Sequence, residues 1–490
     1  MASPLILAVD QGTSSTKALL VDAGGRVVSR AVAPVTESQP RPGWVEQSAE
    51  ELWQSVRRAV ADCVDRGQAA RVAGVGFSTQ RESLVLWERR TGEPAGPLIS
   101  WQDQRTAAQC HELAATGAVE LVRSVSGMPL DPMFSALKAR WLLDTYDPDR
   151  RRSRAGELCL GTVDSWLLSR FGGEHVTEVG NASRTQLLDV GTGDWDLRLL
   201  DLFGVPREVL PRVVASSGGF PGVRDLAPLP DGVPVLAVMG DSHAAMFAHA
   251  GWRPGVVKAT YGTGSSVMAI GDAGDAPGLC RSIAWDLEDG PAQAVEGNIR
   301  ATGRTISWLA ELFGVRADQL LAEAEDIDPG GVHFVPAFGG LGAPWWEPDA
   351  TPVVTGLSLG TRRGQLVAAA LEAVAFQVED VVAAIDQAAG RVRVLMADGG
   401  LTRSARLMRL QADLSGRTVA RSGEHDLSGL GAADAAGLAA KLWTLEQLEQ
   451  RPRPADAFEP ALDETERAAR KAAWHESVRR SRPPVERSIT

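Results

Sequence analysis

Two short polar turns in the sequence combine small residues with hydroxyl side chains. The first, residues 10–15, reads DQGTSS, and the second, residues 261–265, reads YGTGS. Small residues let backbone N–H groups approach an anion closely, and Thr and Ser hydroxyls add donors. Either turn alone is typical of a plain hairpin. Together, with Asp10 in the first, they indicate phosphate binding beside a carboxylate suited to Mg²⁺, which commonly takes one or two carboxylates plus phosphate oxygens.

A second polar group, residues 78–82 (STQRE), directly follows a predicted strand at 72–77. Open α/β sheets bind ligands at such strand ends. The adjacent Arg81 and Glu82 offer donors and acceptors together, as a polyhydroxyl ligand requires, and the alternative is a surface ion pair. Trp101 follows another predicted strand end and could pack against the carbon face of a ligand. The alternative for any of the 14 tryptophans is core packing.

Asp241 lies between a predicted strand at 234–239 and a predicted helix at 242–250. A carboxylate there could accept a hydroxyl proton, but Asp is equally a favoured N-cap residue, and position alone leaves both open. His243 is interpreted as a first-turn helix residue, because the sequence identifies no partner for it. A third turn, residues 398–400 (DGG), lets a flat ligand lie against the backbone, although alone it is only a turn.

The elements that position these residues follow from the apolar pattern. Strands are predicted at 5–9, 16–21 and 26–35, joined by turns into a meander. A helix is predicted from Ser48 to Asp65, with Ser48 as N-cap and Glu51 in capping-box spacing.

A similar layout recurs past the middle of the chain and favours internal duplication. It comprises strands at 255–260, 266–270 and 391–397 and a helix at 402–414. We therefore predict an α/β protein with an N-terminal domain over residues 1–247 and a C-terminal domain over residues 248–490. The charged tail from residue 464 is predicted to form a helix to about residue 480 and to be disordered beyond Pro483.

Composition excludes several classes of protein. The chain has 490 residues, 44% hydrophobic and 23% charged, which is typical of a globular protein and excludes a disordered or disulfide-scaffold chain. A net charge of −12 without a basic tract argues against nucleic acid and anionic membranes as partners. Four widely spaced cysteines predict reduced thiols in a cytoplasmic protein. No apolar run approaches the ~18 residues that a membrane span needs.

Several stretches resemble the FGGY carbohydrate kinases, most closely the glycerol kinase branch, in family order and with family spacing. They run from residue 5 to about residue 445 and comprise DQGTSSTKA (10–18), PGWVEQ (42–47), STQRESLVLW (78–87), SWQDQRT (100–106), PLDPMFSALKARWLLD (129–144), NASRTQLLD (181–189), GDSHAAMF (240–247), TYGTGSS (260–266), FVPAFGGLGAPWW (334–346), GLSLGTRRGQLVAAALEAVAFQ (356–377) and ADGGLTRS (397–404).

The resemblance implies two actin-like, ribonuclease-H-like domains flanking an ATP cleft, and an ATP-dependent kinase that phosphorylates a primary hydroxyl of a small sugar alcohol. It implies Asp10 for Mg²⁺ and Asp241 as the catalytic base. For the other ligands it implies three sets of residues: phosphate contacts from Thr13, Ser14, Ser15, Lys17, Thr263 and Gly264; nucleoside contacts from Gly303, Ser307, Gly400 and Ser404; and polyol contacts from Gln80, Arg81, Glu82, Trp101, Met133, Asp241, Ser242 and Ser266.

Departures from the family pattern bear on the substrate. Met133 stands where glycerol kinases carry Tyr, Ser242 where they carry Gln, and Ser266 where they carry an aromatic residue. Each change removes polar reach or bulk, so a roomier pocket is predicted, suited to a polyol of four or five carbons, with glycerol a poor substrate. Ser307 and Ser404 replace a Gln and an Asn, which leaves ATP as the expected donor and weakens the expected base selectivity.

Three alternatives accompany this prediction. The first is a kinase of a ketose such as xylulose, although that branch typically has Met-His-Gly in place of residues 80–82. The second is glycerol kinase itself. The third, from a different class, is a non-catalytic sugar or ATP sensor, or an actin-like ATPase that moves a partner, and the presence of Asp10 and Asp241 argues against it. A homodimer is compatible with the resemblance, but no patch in the sequence identifies an interface.

Overall fold

The computed structural model describes residues 3–172, 174–272, 274, 276, 278–453 and 455–483. The chain divides into two compact units. Unit 1 comprises residues 1–250, 281–293 and 426–451, and unit 2 comprises residues 251–280, 294–425 and 452–490. The prediction had a single boundary, at 247/248. In the structure, two later segments, residues 281–293 and 426–451, also belong to unit 1.

Unit 1 opens with an alternation of short strands and helices. Its strands up to residue 250 are β1 (Leu5–Gln11), β2 (Ser15–Asp22), β3 (Val27–Pro34), β4 (Glu46–Gln47), β5 (Val72–Thr79), β6 (Leu84–Glu88), β7 (Leu98–Ile99), β8 (Leu158–Thr162), β9 (Val176–Glu178), β10 (Leu188–Asp189), β11 (Asp194–Trp195), β12 (Arg212–Val214) and β13 (Val235–Gly240). Its helices there are α1 (Ala49–Cys63), α2 (Arg66–Ala69), α3 (Ala107–Ala114), α4 (Ala118–Ser126), α5 (Ser135–Tyr146), α6 (Arg151–Arg154), α7 (Val163–Arg170), α8 (Val179–Ser183), α9 (Leu197–Phe203) and α10 (Asp241–Ala248).

The remainder of the chain continues the same alternation. Its strands are β14 (Val256–Tyr261), β15 (Ser265–Ile270), β16 (Cys280–Leu287), β17 (Gly290–Ile299), β18 (His333–Val335), β19 (Val353–Thr355), β20 (Val394–Asp398), β21 (Thr418–Ser422) and β22 (Ala455–Phe458). Its helices are α11 (Gly303–Phe313), α12 (Ala317–Glu323), α13 (Arg363–Ala389), α14 (Ala405–Ser415), α15 (Leu427–Ala439), α16 (Leu445–Gln450) and α17 (Glu464–Ser481).

The two main sheets share a topology, which supports the predicted duplication. In unit 1 the strand order is β13-β5-β1-β2-β3, with β1 antiparallel to β2 and parallel to β5. In the second sheet the order is β16-β17-β15-β14-β20-β21-β22, with β14 antiparallel to β15 and parallel to β20. Each glycine/hydroxyl turn joins the central strand of its sheet to an antiparallel neighbour, so the predicted meander and its repeat are confirmed.

The central strand β1 is buried along its whole length, as its run of apolar residues predicts for a strand covered on both faces. On one side its apolar residues pack with Trp53 of α1 and Phe77 of β5 in a single core. The burial of this strand fixes its register, and the register places Asp10 opposite Ser78.

The start of α1 differs in one detail from the predicted capping box. Ser48 is the N-cap, and its hydroxyl accepts a hydrogen bond from the Glu51 N–H at 3.2 Å. The Glu51 carboxylate instead accepts from the N–H and the hydroxyl of Thr36, at 3.1 and 2.8 Å. The carboxylate therefore secures the chain after β3, and the reciprocal half of the box is not made.

Helix α15 explains why residues 426–451 belong to unit 1. It packs against α10 so tightly that a Cβ atom on Gly431 would lie 1.8 Å from the Ala244 carbonyl oxygen. Only glycine allows two helix backbones to approach this closely. The boundary prediction relied on sequence continuity, and this contact between distant segments gives no local signal.

Two further predictions concern helices near the end of the chain. The helix predicted from residue 402 begins at Ala405, after a short 3₁₀ turn over Gly400–Arg403, because Ser404 caps it. The tail helix is confirmed as α17, while the disorder predicted beyond Pro483 falls on residues outside those described. Within the described ranges, no helix is both long and apolar enough to cross a membrane.

Candidate active site

Asp10 lies near the carboxyl end of β1 in unit 1. Its side chain accepts a hydrogen bond from the Ser78 hydroxyl at 2.8 Å. Burial raises the pKa of Asp10 to about 6, the Ser78 bond and Lys17 oppose that rise, and the charges of Asp241 and Asp426 add to it. The negative charge of Asp10 is therefore only partly balanced by its protein partners, and a bound cation would balance the remainder.

The turn after Asp10 is a tight hairpin between β1 and β2. The Gly12 N–H donates to the Ser15 carbonyl at 3.0 Å, and Ser14 at the tip is exposed. The Thr13 hydroxyl accepts from the Trp101 indole N–H at 3.0 Å, which leaves its own proton available to a ligand. Lys17, on β2 opposite Asp10, forms an ion pair with Asp426 at 3.2 Å.

Gln80 has a role different from the predicted polyol contact. Its side chain has no exposed surface, and its amide nitrogen lies 3.1 Å from the side-chain oxygens of both Gln11 and Gln47. Its amide oxygen accepts a hydrogen bond from the Ser83 hydroxyl at 2.8 Å. The oxygen of that hydroxyl in turn accepts from the backbone N–H of Trp101 at 3.0 Å. These hydrogen bonds tie the hairpin to the loop of Trp101, so Gln80 positions other residues.

Arg81, Glu82 and Asp241 converge at the carboxyl ends of β5 and β13. The Arg81 Nε lies 3.6 Å from Asp241 Oδ1 and 3.9 Å from Glu82 Oε1. Arg81 and Glu82 are each 5% exposed, which excludes the alternative of a surface ion pair. Glu82 also forms an ion pair with Arg184, which is fully buried. The Arg184 Nε lies 2.6 Å from Glu82 Oε1.

Asp241 is the first residue of α10, and Gly240 is its N-cap. The N-cap alternative for Asp241 is therefore wrong, because the Asp241 backbone is already helical. Its carboxylate is 35% exposed and accepts from the N–H of Ser242 at 2.6 Å. The carboxylate therefore lies at the N-terminal end of a helix, where the helix dipole interacts favourably with negative charge.

Trp101 and Met133 are both half-buried, and one lysine holds both of their loops. Lys138 of α5 has no exposed surface, and its ammonium donates to the Met133 carbonyl at 2.6 Å and to the Trp101 carbonyl at 3.3 Å. Burial lowers the pKa of Lys138 to about 8, and the charges of Asp103, Glu82 and Asp131 oppose the fall.

In unit 2, the second glycine/hydroxyl turn packs against the start of α11. The Gly303 and Arg304 N–H groups donate to the carbonyls of Gly262 and Thr263, at 3.0 and 3.1 Å. A Cβ on Gly303 would lie 2.5 Å from the Gly262 oxygen, so only glycine fits there. The predicted phosphate residue Gly264 lies in this turn, and Thr263 at its tip is exposed.

A pocket of about 860 Å³ in unit 2 brings together most of the predicted nucleotide residues of that unit. They come from three separate stretches of sequence: Thr263, Gly303, Ser307, Gly400 and Ser404. Helix α12 also lines the pocket, through Ala317, Leu321 and Ala322. Ser404 also caps α14, since its hydroxyl accepts from the Leu407 N–H at 3.2 Å.

Ser266 belongs to unit 2, on β15, and not to the unit that holds the other predicted polyol residues. Its hydroxyl donates to Glu296 at 2.9 Å, and the same carboxylate oxygen accepts from Asn298 at 2.8 Å. The Ser266 hydroxyl is therefore paired with a carboxylate that is itself fully buried.

Comparison with known proteins was made on both sequence and structure. The family model described as "FGGY family of carbohydrate kinases, N-terminal domain" matches residues 5–248, and its C-terminal counterpart matches residues 257–440. The chain belongs to the FGGY family of carbohydrate kinases. It is an ATP-dependent phosphotransferase with the two-domain, actin-like α/β fold of that family, as predicted.

Individual FGGY relatives cover nearly the whole chain. A glycerol kinase of Alkalilimnicola ehrlichii is 41% identical over 97% of this chain and 98% of its own length. An apulose kinase of Pectobacterium atrosepticum is 39% identical over 98% of this chain and 99% of its own length. The crystal structure of Plasmodium falciparum glycerol kinase with ADP matches with a TM-score of 0.90 at 28% identity, over 99% of each chain.

Reasoning from the sequence missed three buried residues that contact predicted site residues. Arg184 and Lys138 lie inside stretches that carry the family resemblance, yet neither was assigned a role. Lys138 gave one signal in the sequence, because it is a lysine between the apolar residues Leu137 and Ala139. His243 was interpreted as an ordinary helix residue, and the structure buries it against Arg81 at 3.3 Å.

The raised pKa of Asp10 predicts how an Asp10→Asn variant changes stability with pH. Between about pH 4 and pH 6 the folded chain binds more protons than the unfolded chain, so the wild type loses stability as pH rises and carries the full penalty above pH 6. Asp10→Asn keeps the Ser78 bond and removes the charge. In metal-free buffer at pH 7.5, its free energy of unfolding should exceed that of the wild type by about 1–3 kcal/mol, and its Tm should be correspondingly higher. Near pH 4 the two proteins should have the same Tm.

Asp62, exposed on α1, provides the matched control. Asp62→Asn should leave Tm unchanged at both pH values when all three proteins are compared by scanning fluorimetry. A lower Tm for Asp10→Asn than for the wild type at pH 7.5 would mean that the Asp10 charge stabilises the fold.

Proposed function

We propose that this chain transfers the γ-phosphoryl group of ATP to a primary hydroxyl of a sugar alcohol of four or five carbons, with Asp241 as the general base. Family membership supplies the phosphotransferase class. The observation that supports the rest is the convergence of Arg81, Glu82 and Asp241 at neighbouring strand ends of unit 1. A guanidinium and two carboxylates offer both donors and acceptors, which match vicinal hydroxyls.

In the proposed reaction, Asp241 orients the primary hydroxyl and accepts its proton as the new bond forms. The hydroxyl oxygen bonds to the γ-phosphorus, the bond from that phosphorus to the bridging oxygen breaks, and ADP leaves. Such transfers depend mainly on positioning and on neutralising charge. Arg81 and Glu82 fix the neighbouring hydroxyls, while Trp101 packs against the carbon chain.

The unit 2 pocket is proposed to hold the nucleoside of ATP. Gly303 and Gly400 lack side chains, so an adenosine can lie against the backbone there, and Ser307 and Ser404 offer short hydroxyl contacts. Each glycine/hydroxyl turn is proposed, within its own unit, to offer phosphate ligands through its N–H groups and hydroxyls. In unit 1 these are Thr13, Ser14 and Ser15, with Lys17 nearby, and in unit 2 they are Thr263 and Gly264. Short serines recognise a base less strictly than longer amides would.

Mg²⁺ is proposed to bind with Asp10. Among the residues that the structure describes, no group of three or more His, Cys, Asp and Glu side chains forms a metal cage. Mg²⁺ does not require one, since it usually keeps several waters and binds one or two carboxylates plus phosphate oxygens. The under-compensated charge of Asp10 fits that mode. Bound Mg²⁺ would neutralise charge on the β- and γ-phosphate oxygens.

The Asp10→Asn variant tests this metal assignment. At a fixed, saturating concentration of ATP, it should require a Mg²⁺ concentration at least about tenfold higher for half-maximal rate, because one charged ligand is lost. The rate is measured by coupled ADP release over a Mg²⁺ titration, with Asp62→Asn as the control. An unchanged Mg²⁺ requirement would remove Asp10 from the metal site.

Asp241→Asn tests the base. The amide has almost the same shape and cannot take a proton, so kcat should fall by about 10²- to 10⁴-fold with a smaller change in KM for the polyol. The same coupled assay is run on the wild type and on Asp62→Asn, which should keep its full kcat. Near-normal kcat in Asp241→Asn would show that another group, or none, accepts the proton.

The size of the polyol is proposed from Met133 and Ser242, which lie where glycerol kinases carry larger polar side chains. Glycerol itself is the second candidate, and several relatives named glycerol kinase, at about 40% identity, favour it. The apulose kinase, of similar identity, shows that the family at this level of similarity is not restricted to glycerol. A homodimer and a cytoplasmic location stay predictions.

A substrate panel separates these candidates. We expect kcat/KM to be at least about tenfold higher for erythritol, threitol, xylitol or arabinitol than for glycerol, since one well-placed contact is worth about that factor. Met133→Tyr combined with Ser242→Gln should shift the preference toward glycerol by refilling the pocket. A wild-type preference for glycerol would refute the proposed size and leave the second candidate, and a preference for xylulose would favour a ketose kinase.

A further inference from the structure

His243 lies on the first turn of α10, two residues after the proposed base, and its side chain is fully buried. Its Nε2 lies 3.3 Å from Nη1 of Arg81. The imidazole therefore faces one edge of the guanidinium whose Nε edge faces Asp241 and Glu82. His243, to which the sequence analysis assigned no role, is therefore paired with Arg81 of the proposed polyol site.

The chemistry of the pair fixes the state of the imidazole. A guanidinium carries five N–H donors and no acceptor, and it does not lose its charge in proteins. The Nε2 atom must therefore accept, which requires a neutral imidazole that carries its proton on Nδ1. A protonated imidazole would place a second buried cation against the first, an arrangement that burial disfavours.

The contacts around Arg81 indicate what this acceptor does. Glu82 is shared with Arg184, whose Nε is closer to it, at 2.6 Å, than Arg81 is, at 3.9 Å. The pair with Asp241 is also loose, at 3.6 Å. The side chain of Arg81 runs tightly along the backbone of Gly240, where a Cβ would lie 2.6 Å from the Arg81 Cδ. The contact between His243 Nε2 and Arg81 Nη1, at 3.3 Å, is shorter than the two distances given above from the Arg81 Nε to Glu82 and to Asp241.

We propose that His243 is a positioning residue that holds the Arg81 guanidinium in the orientation needed to bind the polyol, and that it does so through the acceptor Nε2. The proposal rests on the polyol role of Arg81 proposed above. An oriented guanidinium binds the polyol equally in the ground state and the transition state. Its disorientation therefore raises KM for the polyol more than it lowers kcat.

Three variants at this position separate the acceptor from simple packing. Gln places a carbonyl oxygen at about the reach of Nε2, Asn has the same amide one bond shorter, and Leu fills space without an acceptor. His243→Leu should raise KM for the polyol by about tenfold, change kcat by less than about threefold and leave KM for ATP unchanged. His243→Gln should stay within about threefold of the wild-type KM, whereas His243→Asn should resemble the Leu variant.

The measurement is the coupled assay of the full-length chain at pH 7.5, with whichever of glycerol, erythritol or xylitol the wild type turns over fastest. Folding is checked by Tm. If His243→Leu does not fold, the Gln and Asn pair carries the same test, because both are polar amides. A KM for His243→Leu within twofold of the wild type, or equal KM values for Gln and Asn, would overturn the proposal.

The same assay distinguishes failure of this inference from failure of the proposed function. A wild type that consumes ATP at the same rate with and without polyol would refute the proposed function itself. A polyol-dependent wild type with an inactive Asp241→Asn variant, but with normal KM in all three His243 variants, would refute only the role of His243.

Discussion

The Arg81 guanidinium, almost excluded from water, is the charge around which unit 1 arranges its polar residues. An isolated cation in such a place is unfavourable, and partners of opposite charge or with lone pairs must surround it. Glu82, Asp241 and His243 supply them from two neighbouring strand ends and one helix start. Arg184 then balances Glu82 from the far side. The buried members of this group, Arg81, Glu82, Arg184 and His243, thus supply one another with polar partners.

The parallel pairing of β1, β5 and β13 brings these residues within reach of one another. Asp10, Ser78 and the chain after Thr79 emerge at the same sheet edge because the registers of the three strands align. The loops that follow these strands are then held by buried hydrogen bonds, from Gln80 after β5 and from Lys138 of α5. The site consequently depends on strand register, and register depends on the burial of β1.

Strands with strong apolar runs and glycine turns could be predicted from the sequence, because their signals are local. The meander, the helix from Ser48 and the strand before Asp241 are examples. The roles of Gln80 and His243 could not be predicted, because they depend on hydrogen-bond partners from distant segments of the chain. The N-cap role of Ser48 was predictable, but the partner of Glu51 was not, for the same reason. The role of Arg184 could not be predicted either, because it depends on an ion pair with Glu82, which is distant in the sequence.

The return of α15 to unit 1 has a consequence for the order in which this chain matures during synthesis. The helix that covers α10 is encoded about 180 residues after it, beyond most of unit 2. A nascent chain emerging from the ribosome exposes that face of α10 until Ala439 has been made. Most of unit 2 is therefore synthesised before unit 1 is complete, and chains released early would present an apolar surface to chaperones and proteases.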